Sequence, residues 1–327
     1  MEASTDLRGN KPSSRLLSPA ILGLWLGGFF GYFYVTQVAL PSTDQRITLL
    51  HDVLNGTAKS DFVFAMYAIA RVHRFLADHL PIPERWIFAL IDFAGIVFLF
   101  ECATLYLVRT FAQTPGFIAA VLWLATTSPL LLIGPHYYHP SDFYATGLMF
   151  LILQSARDQA YRRLAVLCLL SGILWEKTLF VPALYWLWEC HRSGWTTATV
   201  RAAPSALAIL FWFVLWRVAF PDSPRVLAHE TWGQFLPTLR GAGVVWIVWT
   251  GPLLAILGDT IWNRRTIDRF WWIWLLYWPI LVGVLIGFRG FLDELRSFWI
   301  MQPIFAGVVA DWANEISRKN QPSDMSG

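Results

Sequence analysis

Runs of about 20 apolar residues, the length an α-helix needs to cross a hydrocarbon core, recur along this chain and decide what it can fold into. Residues 20–40, 86–108 and 115–134 are three of them, separated by polar breaks. In lipid every backbone N–H and C=O has to find a partner within its own segment or a closed barrel, so such runs specify helices. Composition agrees: the 327 residues are 56% hydrophobic and only 14% charged, too little charge for a soluble domain of this size. The 19 tryptophans suit the membrane interface, where the ring is apolar and the N–H is wet. A net charge of +3, with no basic stripe standing free of the apolar runs, excludes nucleic acid as a partner. Cys102, Cys168 and Cys190 lie in or beside apolar runs, in odd number and at no metal-ligand spacing, and read as small core residues.

Taken in order, residues 1–18 are polar, carry Arg8, Lys11 and Arg15, and read as a cytoplasmic tail, with 20–40 as the first span running outward under the positive-inside rule. The stretch 41–85 reads as a large first outer loop holding Asp44, Arg46, His51, Asp52 and Asn55-Gly56, with a helix over 61–80. In that helix Phe62, Ala65, Ile69, Val72, Leu76 and Leu80 recur at three- and four-residue spacing, as in a helix lying on the membrane surface. Span 86–108 carries Asp92 and Glu101, whose separation places them on opposite helix faces. Span 115–134 returns outward, and 142–156 runs inward to Arg157, Arg162 and Arg163. Residues 164–190 are either one long tilted helix or a hairpin with its tip at Glu176-Lys177. The hairpin is chosen because it puts Arg192, Arg201, Arg264, Arg265, Arg269, Arg318 and Lys319 inside against Arg217, Arg225, Arg240, Arg289 and Arg296 outside, with Arg264, Arg265 and Arg269 as a compact inner cluster. Spans 203–220, 243–258, 270–288 and 297–312 follow, the last bent by Pro303, and 313–327 is a cytoplasmic tail. The expectation is an all-α, polytopic bundle of about ten spans forming a single integral membrane domain over 1–327, both termini cytoplasmic, in a bacterial inner membrane.

On this topology the polar residues gather at the outer face. His136, His139 and Asp142 sit in the turn between two spans, Glu176 and Lys177 at the hairpin tip, and Arg289, Glu294 and Arg296 in the last outer loop. Carboxylates there can serve as general bases or metal ligands, and Lys177, Arg289 and Arg296 can grip a phosphate. Each group has a plainer reading: His136 and His139 as interface residues beside Tyr137 and Tyr138, Glu176-Lys177 as a self-neutralising tip, Asp293 and Arg296 as a one-turn pair. His-x-x-His near Asp142 leaves a divalent metal open, although Pro140 interrupts the helix between them. No nucleophile elbow, phosphate-binding glycine loop or zinc-protease motif is present.

Three of these features together resemble bacterial polytopic proteins related to the GT-C type of membrane glycosyltransferase. They are Asp44 in the large first loop, the polar turn Tyr138 to Asp142 ahead of a short inward helix, and Glu294-Leu295-Arg296 ahead of Pro303. The island Trp175-Glu176-Lys177-Thr178, followed by Pro182, is similar to a segment at a helix-hairpin tip in some of those proteins. The resemblance implies transfer of a sugar from a polyprenyl-phosphate donor outside the cytoplasm, with membrane lipid and the lipid-linked donor as partners. It implies Asp44 as the base and Arg296 on the lipid phosphate, while Glu176 and Glu294 are further candidate catalytic carboxylates from their place at the outer face. By the same placement Lys177 would join Arg296 there, and His136, His139, Asp142 and Arg289 would stand around the substrate. Many members carry paired acids in the first loop, whereas Asp44 is followed by Gln45 and Arg46. A transporter or flippase of an anionic or lipid-linked substrate, and a non-catalytic assembly subunit, are the alternatives.

Overall fold

The computed structural model describes residues 18–41, 43–55, 63–111, 114–132, 140–174, 176–219, 250–284 and 299–320, and among these there is helix and no strand. α1 is Pro19–Tyr34, opened by its proline, and it ends in a π-helical turn, Val35–Ala39, ahead of Pro41. α2 is Thr43–Leu54 and α3 is Val63–His79. α4, Glu84–Phe111, has an acid in its first turn and Arg109 in its last, as the helix dipole favours. α5 is Pro115–Leu132 and α6 is Pro140–Arg157, again with Asp142 at its start and Arg157 at its end. α7, Tyr161–Leu174, leads through a 3₁₀ turn, Glu176–Phe180, into α8, Val181–Ser193. Gly194, at φ +81°, stops α8 where a side chain would be strained, and α9, Trp195–Ala219, follows. α10 covers 250–262, α11 is Arg269–Leu275, α12 is Tyr277–Val284, and α13 is Gln302–Lys319.

The helices alternate in direction. α1 lies antiparallel on α4, Gly23 facing Glu101 and Thr104 while Gly31 faces Phe93. α6 runs parallel to α4, Gly95 meeting Phe143 and Gly147 meeting Phe98. α5 and α13 are antiparallel: the Gly116 N–H donates to Asn314 (2.7 Å) and the Trp123 indole to Gln302 (3.0 Å). α7 and α8 are the arms of a hairpin, since Gln159, just before α7, meets Arg192 at the end of α8. α9 packs on both arms; Arg201 reaches Glu189 of α8, and the Trp212 indole donates to the Leu169 carbonyl of α7. The ends of α4, α6, α8, α10 and α13 therefore fall together with the starts of α5, α7, α9 and α11, and the basic residues of those termini make this the arginine-rich end.

Between the ends lies one core of interlocked rings. Phe30 stacks on Phe100 (5.0 Å), Tyr34 and Trp299 both meet Phe143 edge-on (5.2 and 5.9 Å), and Trp123 meets Phe305 (6.3 Å). Outward from it, Leu24, Trp25, Phe29, Leu207, Leu210, Phe211 and Val214 are large, apolar and exposed. A protein surface built this way suits lipid, and three helices, Pro19–Ala39, Glu84–Phe111 and Trp195–Leu215, are long and apolar enough to cross a membrane.

Two local features differ from the reading of the sequence. The segment 41–85 holds a second helix, α2, because Ile47, Leu50, Val53 and Leu54 repeat at helical spacing; Leu50 and Val53 bury against Ile69, Ala70 and Phe88. Asp44 thus begins a helix instead of standing in a loop. Pro303 does not bend the last helix. It occupies the first turn of α13, where its missing N–H costs nothing, and the helix continues through 313–319.

Candidate functional site

The end opposite the arginines is closed by α2 and α3. These two helices pack on each other and on the start of α4, and α3 also meets α6 and α7. The anchor is Glu84: its carboxylate lies 3.5 Å from the His51 imidazole and its carbonyl 3.3 Å from that of His73. Beneath this cap the bundle buries two carboxylates. Asp92 on α4 has no exposed surface and Asp142 in the first turn of α6 is 2% exposed. The parallel packing of α4 and α6 sets them at the same level, since Gly95, one turn past Asp92, abuts Phe143 and Tyr144. Around them the Tyr144 hydroxyl donates to the Ile91 carbonyl (3.2 Å), tying α6 to α4 at that level, and within α6 the Thr146 hydroxyl donates to the Asp142 carbonyl (2.8 Å).

A second polar group lies across the bundle on α5 and α13. Gln302 accepts from the Trp123 indole through its carbonyl oxygen and donates to the Thr127 hydroxyl through its amide (3.1 Å), all three buried. It borders the carboxylate level through Trp299, whose ring meets Phe143. The hairpin tip reaches the same end, with Phe180 against the ring of Tyr277 (6.1 Å) and Thr178 fully buried. Ionisable groups at such depth among apolar helices ordinarily face a protein cavity, and they mark sites of binding or proton movement.

Of the residues expected to act, Asp142 has its side chain buried at this end. Asp44 lies in the first turn of α2, and Glu176 and Lys177 open the 3₁₀ turn, so their backbones belong to the α2–α3 cap and the hairpin tip. His136, His139, Arg289, Glu294 and Arg296 lie outside the described residues. Among the described residues no three His, Cys, Asp or Glu side chains stand together as a metal site.

The arginine-rich end is chemically different, because four of its carboxylates, Asp259, Asp268, Glu189 and Glu315, stand against arginines. Asp259 accepts from Arg265 (2.6 Å), from the Trp312 indole (2.7 Å) and from Asn263 (2.5 Å). The Trp312 bond first, then those of Asn263 and Arg265, hold its carboxyl below the usual carboxylate range against the opposing effect of burial. Burial pushes Glu315 upward, but Arg318, Lys319 and the Thr266 hydroxyl outweigh it and hold this carboxyl low as well. Asp268 caps α11 by accepting from the Phe270 N–H (2.9 Å), lies 3.6 Å from Arg157, and donates its own N–H to Asp311 (2.7 Å). Glu189, without exposed surface, takes Arg201 at 2.7 Å and Ser193 at 3.1 Å. Reading the sequence put 313–319 in a tail and so missed the part of α13 that organises this end; the three- and four-residue spacing of Asp311, Glu315, Arg318 and Lys319 is the signal that finds it. No protein-family model matches the chain, and neither a curated protein nor a solved structure is similar to it.

Proposed function

We propose that this chain is a multi-pass membrane protein of about ten spans whose α2–α3 end faces outward and carries a GT-C-like sugar-transfer site. The observation that supports the reading best is the pairing of ends. Buried Asp92 and Asp142 stand level beneath a helical cap at one end, while the ion-paired arginine-rich end, inside under the positive-inside rule, lies at the other. Asp44, on the cap, is the base that takes the proton of an acceptor hydroxyl as its oxygen attacks the anomeric carbon of the donor. The bond from that carbon to the phosphate oxygen breaks, and the lipid phosphate leaves with the electron pair. Lys177 and Arg296 offset its charge where it grows in the transition state. Glu176 and Glu294 stand as further carboxylates, and His136, His139, Asp142 and Arg289 line the substrate. A lipid-linked sugar donor and the membrane itself are the partners, and a bacterial inner membrane with both chain ends on the cytoplasmic side is the setting.

The test is transfer of a radiolabelled sugar from a polyprenyl-phosphate donor by the purified protein in liposomes. Wild type is expected to form a covalent product, and Asp44→Asn to lose it while inserting normally; undiminished transfer by Asp44→Asn refutes the assignment. Substrate movement across the vesicle with no covalent product makes the protein a transporter, and tolerance of alanine at Asp44, Glu176 and Arg296 in cells makes it an assembly subunit.

A further inference from the structure

At the arginine-rich end the guanidinium groups divide into those that meet a carboxylate and those that meet none among the described residues. Arg157, Arg201, Arg265 and Arg318 each meet a carboxylate, those of Asp268, Glu189, Asp259 and Glu315. Arg192 and Arg269, like Arg162 over the Tyr161 ring, meet other groups instead. The Arg269 Nη1 lies 3.0 Å from His191 Nε2. A guanidinium only donates, so in this contact the imidazole nitrogen accepts. The Arg192 guanidinium lies 5.4 Å from the centre of the Trp188 ring and against the Gln159 amide.

Trp188, His191 and Arg192 follow helical spacing and share one face of α8, and this face packs on the start of α11 where the Trp188 ring meets Phe270 edge-on at 5.2 Å. Two cations and an imidazole are thus fixed across one helix seam, with no carboxylate bonded to either arginine among the described residues. Trp188, 9% exposed, adds an indole N–H that no described residue accepts. Arg192, His191 and Arg269 themselves are exposed. One turn deeper along each helix the exposed residue is apolar: Leu187 on α8 (39%) and Trp272 on α11 (38%).

Charge at the rim with apolar surface below it is the layout of a phospholipid. We propose that the α8–α11 seam binds the phosphate headgroup of an anionic phospholipid, with Arg192, His191 and Arg269 taking the phosphate oxygens and Leu187 and Trp272 lying against the acyl chains. Guanidinium groups suit phosphate because their donors match its oxygens, and free phosphate shares that chemistry. The apolar residues below the rim assign the site to the lipid. None of this rests on the sugar-transfer reading, since no residue of the seam belongs to that site.

The full-length protein in detergent is titrated with phosphatidylglycerol, with phosphatidylcholine of the same chains, and with inorganic phosphate, and bound ligand is counted by native mass spectrometry. Phosphatidylglycerol is expected to bind about tenfold more tightly than phosphatidylcholine, and Arg192→Gln and Arg269→Gln each to weaken it about fivefold. Arg318→Gln, a charge already shared with Glu315, leaves it unchanged, and Arg269→Lys keeps most of it. Thermal unfolding confirms that each variant remains folded. Equal binding of the two lipids overturns the proposal, as does wild-type affinity in both glutamine variants. Full displacement of the lipid by inorganic phosphate reassigns the seam to a soluble anion and overturns it too.

Discussion

Adding one methyl group at Gly27 and, in a separate variant, at Gly28 tests how α1 meets α4. A Cβ on Gly27 would stand 2.7 Å from the Val97 Cα and 3.4 Å from Val97 Cβ and Cγ2. Carbon atoms pack at about 3.5–4.0 Å, so α1 has to retreat by about 1 Å, and Val97 cannot yield because its backbone is what is struck. The retreat also loosens Gly23 and Gly31, which touch the same helix one turn to either side. Overpacking of this kind costs about 1–3 kcal/mol, while replacing a helical glycine returns about 0.5–1 kcal/mol. Gly27→Ala is therefore expected to lose about 0–2.5 kcal/mol. At Gly28 nothing lies within 4 Å of the added carbon, so Gly28→Ala keeps only the gain and is stabilised by about 0.5–1 kcal/mol. Helical circular dichroism followed through denaturation in mixed detergent gives both values. A Gly27→Ala protein about 1–3 kcal/mol less stable than Gly28→Ala is the signature; equal stability of the two variants refutes the close approach of α1 to α4.

Three further outcomes follow from the same structure. Gln302→Leu strips the Trp123 indole and the Thr127 hydroxyl of a buried partner and is expected to cost about 1–3 kcal/mol by the same denaturation, with Trp123→Phe in the same chain recovering part of it. Arg264 ends α10 at φ +48°, where the Arg265 N–H returns to the Thr260 carbonyl, so Arg264→Gly relieves left-handed strain and stabilises by about 1 kcal/mol. Asp259 is depressed in the folded protein, so its contribution is complete above the ordinary carboxylate value of about 4 and is lost as pH falls through the lower folded value. Thermal unfolding against pH should show that acid loss in wild type and a flatter profile in Asp259→Asn.

The helices were legible wherever apolar length alone specified them, as in α1 and α4. The hairpin at Glu176-Lys177 was legible from charge, because two arms place the compact cluster Arg264, Arg265 and Arg269 inside. α2 was not, since Asp44, Arg46, His51 and Asp52 read as loop residues until Leu50 and Val53 find Ile69 and Phe88 to bury against. Grouping Arg157, Arg201, Arg265 and Arg269 at one end needed only the charge rule, and the structure gathers them there. Their partners could not be read, because Asp268, Asp259 and Trp312 reach them only through the tertiary packing of α11, α10 and α13. At the opposite end the sequence singled out Asp142 and the turn before it. The level match of Asp142 with Asp92 depends on α4 and α6 running parallel, a fact of packing that neither segment encodes alone.

The proposed site requires the two ends of the bundle to face opposite sides of a membrane, and accessibility of single cysteines measures that directly. With Cys102, Cys168 and Cys190 replaced, Asn55→Cys and His79→Cys report the α2–α3 end, and Thr196→Cys and Asn263→Cys report the arginine-rich end; all four positions are exposed. A membrane-impermeant maleimide is expected to label the first pair in intact cells and the second pair only in inverted vesicles. Labelling of all four from one side, or of one member of a pair without the other, contradicts the account.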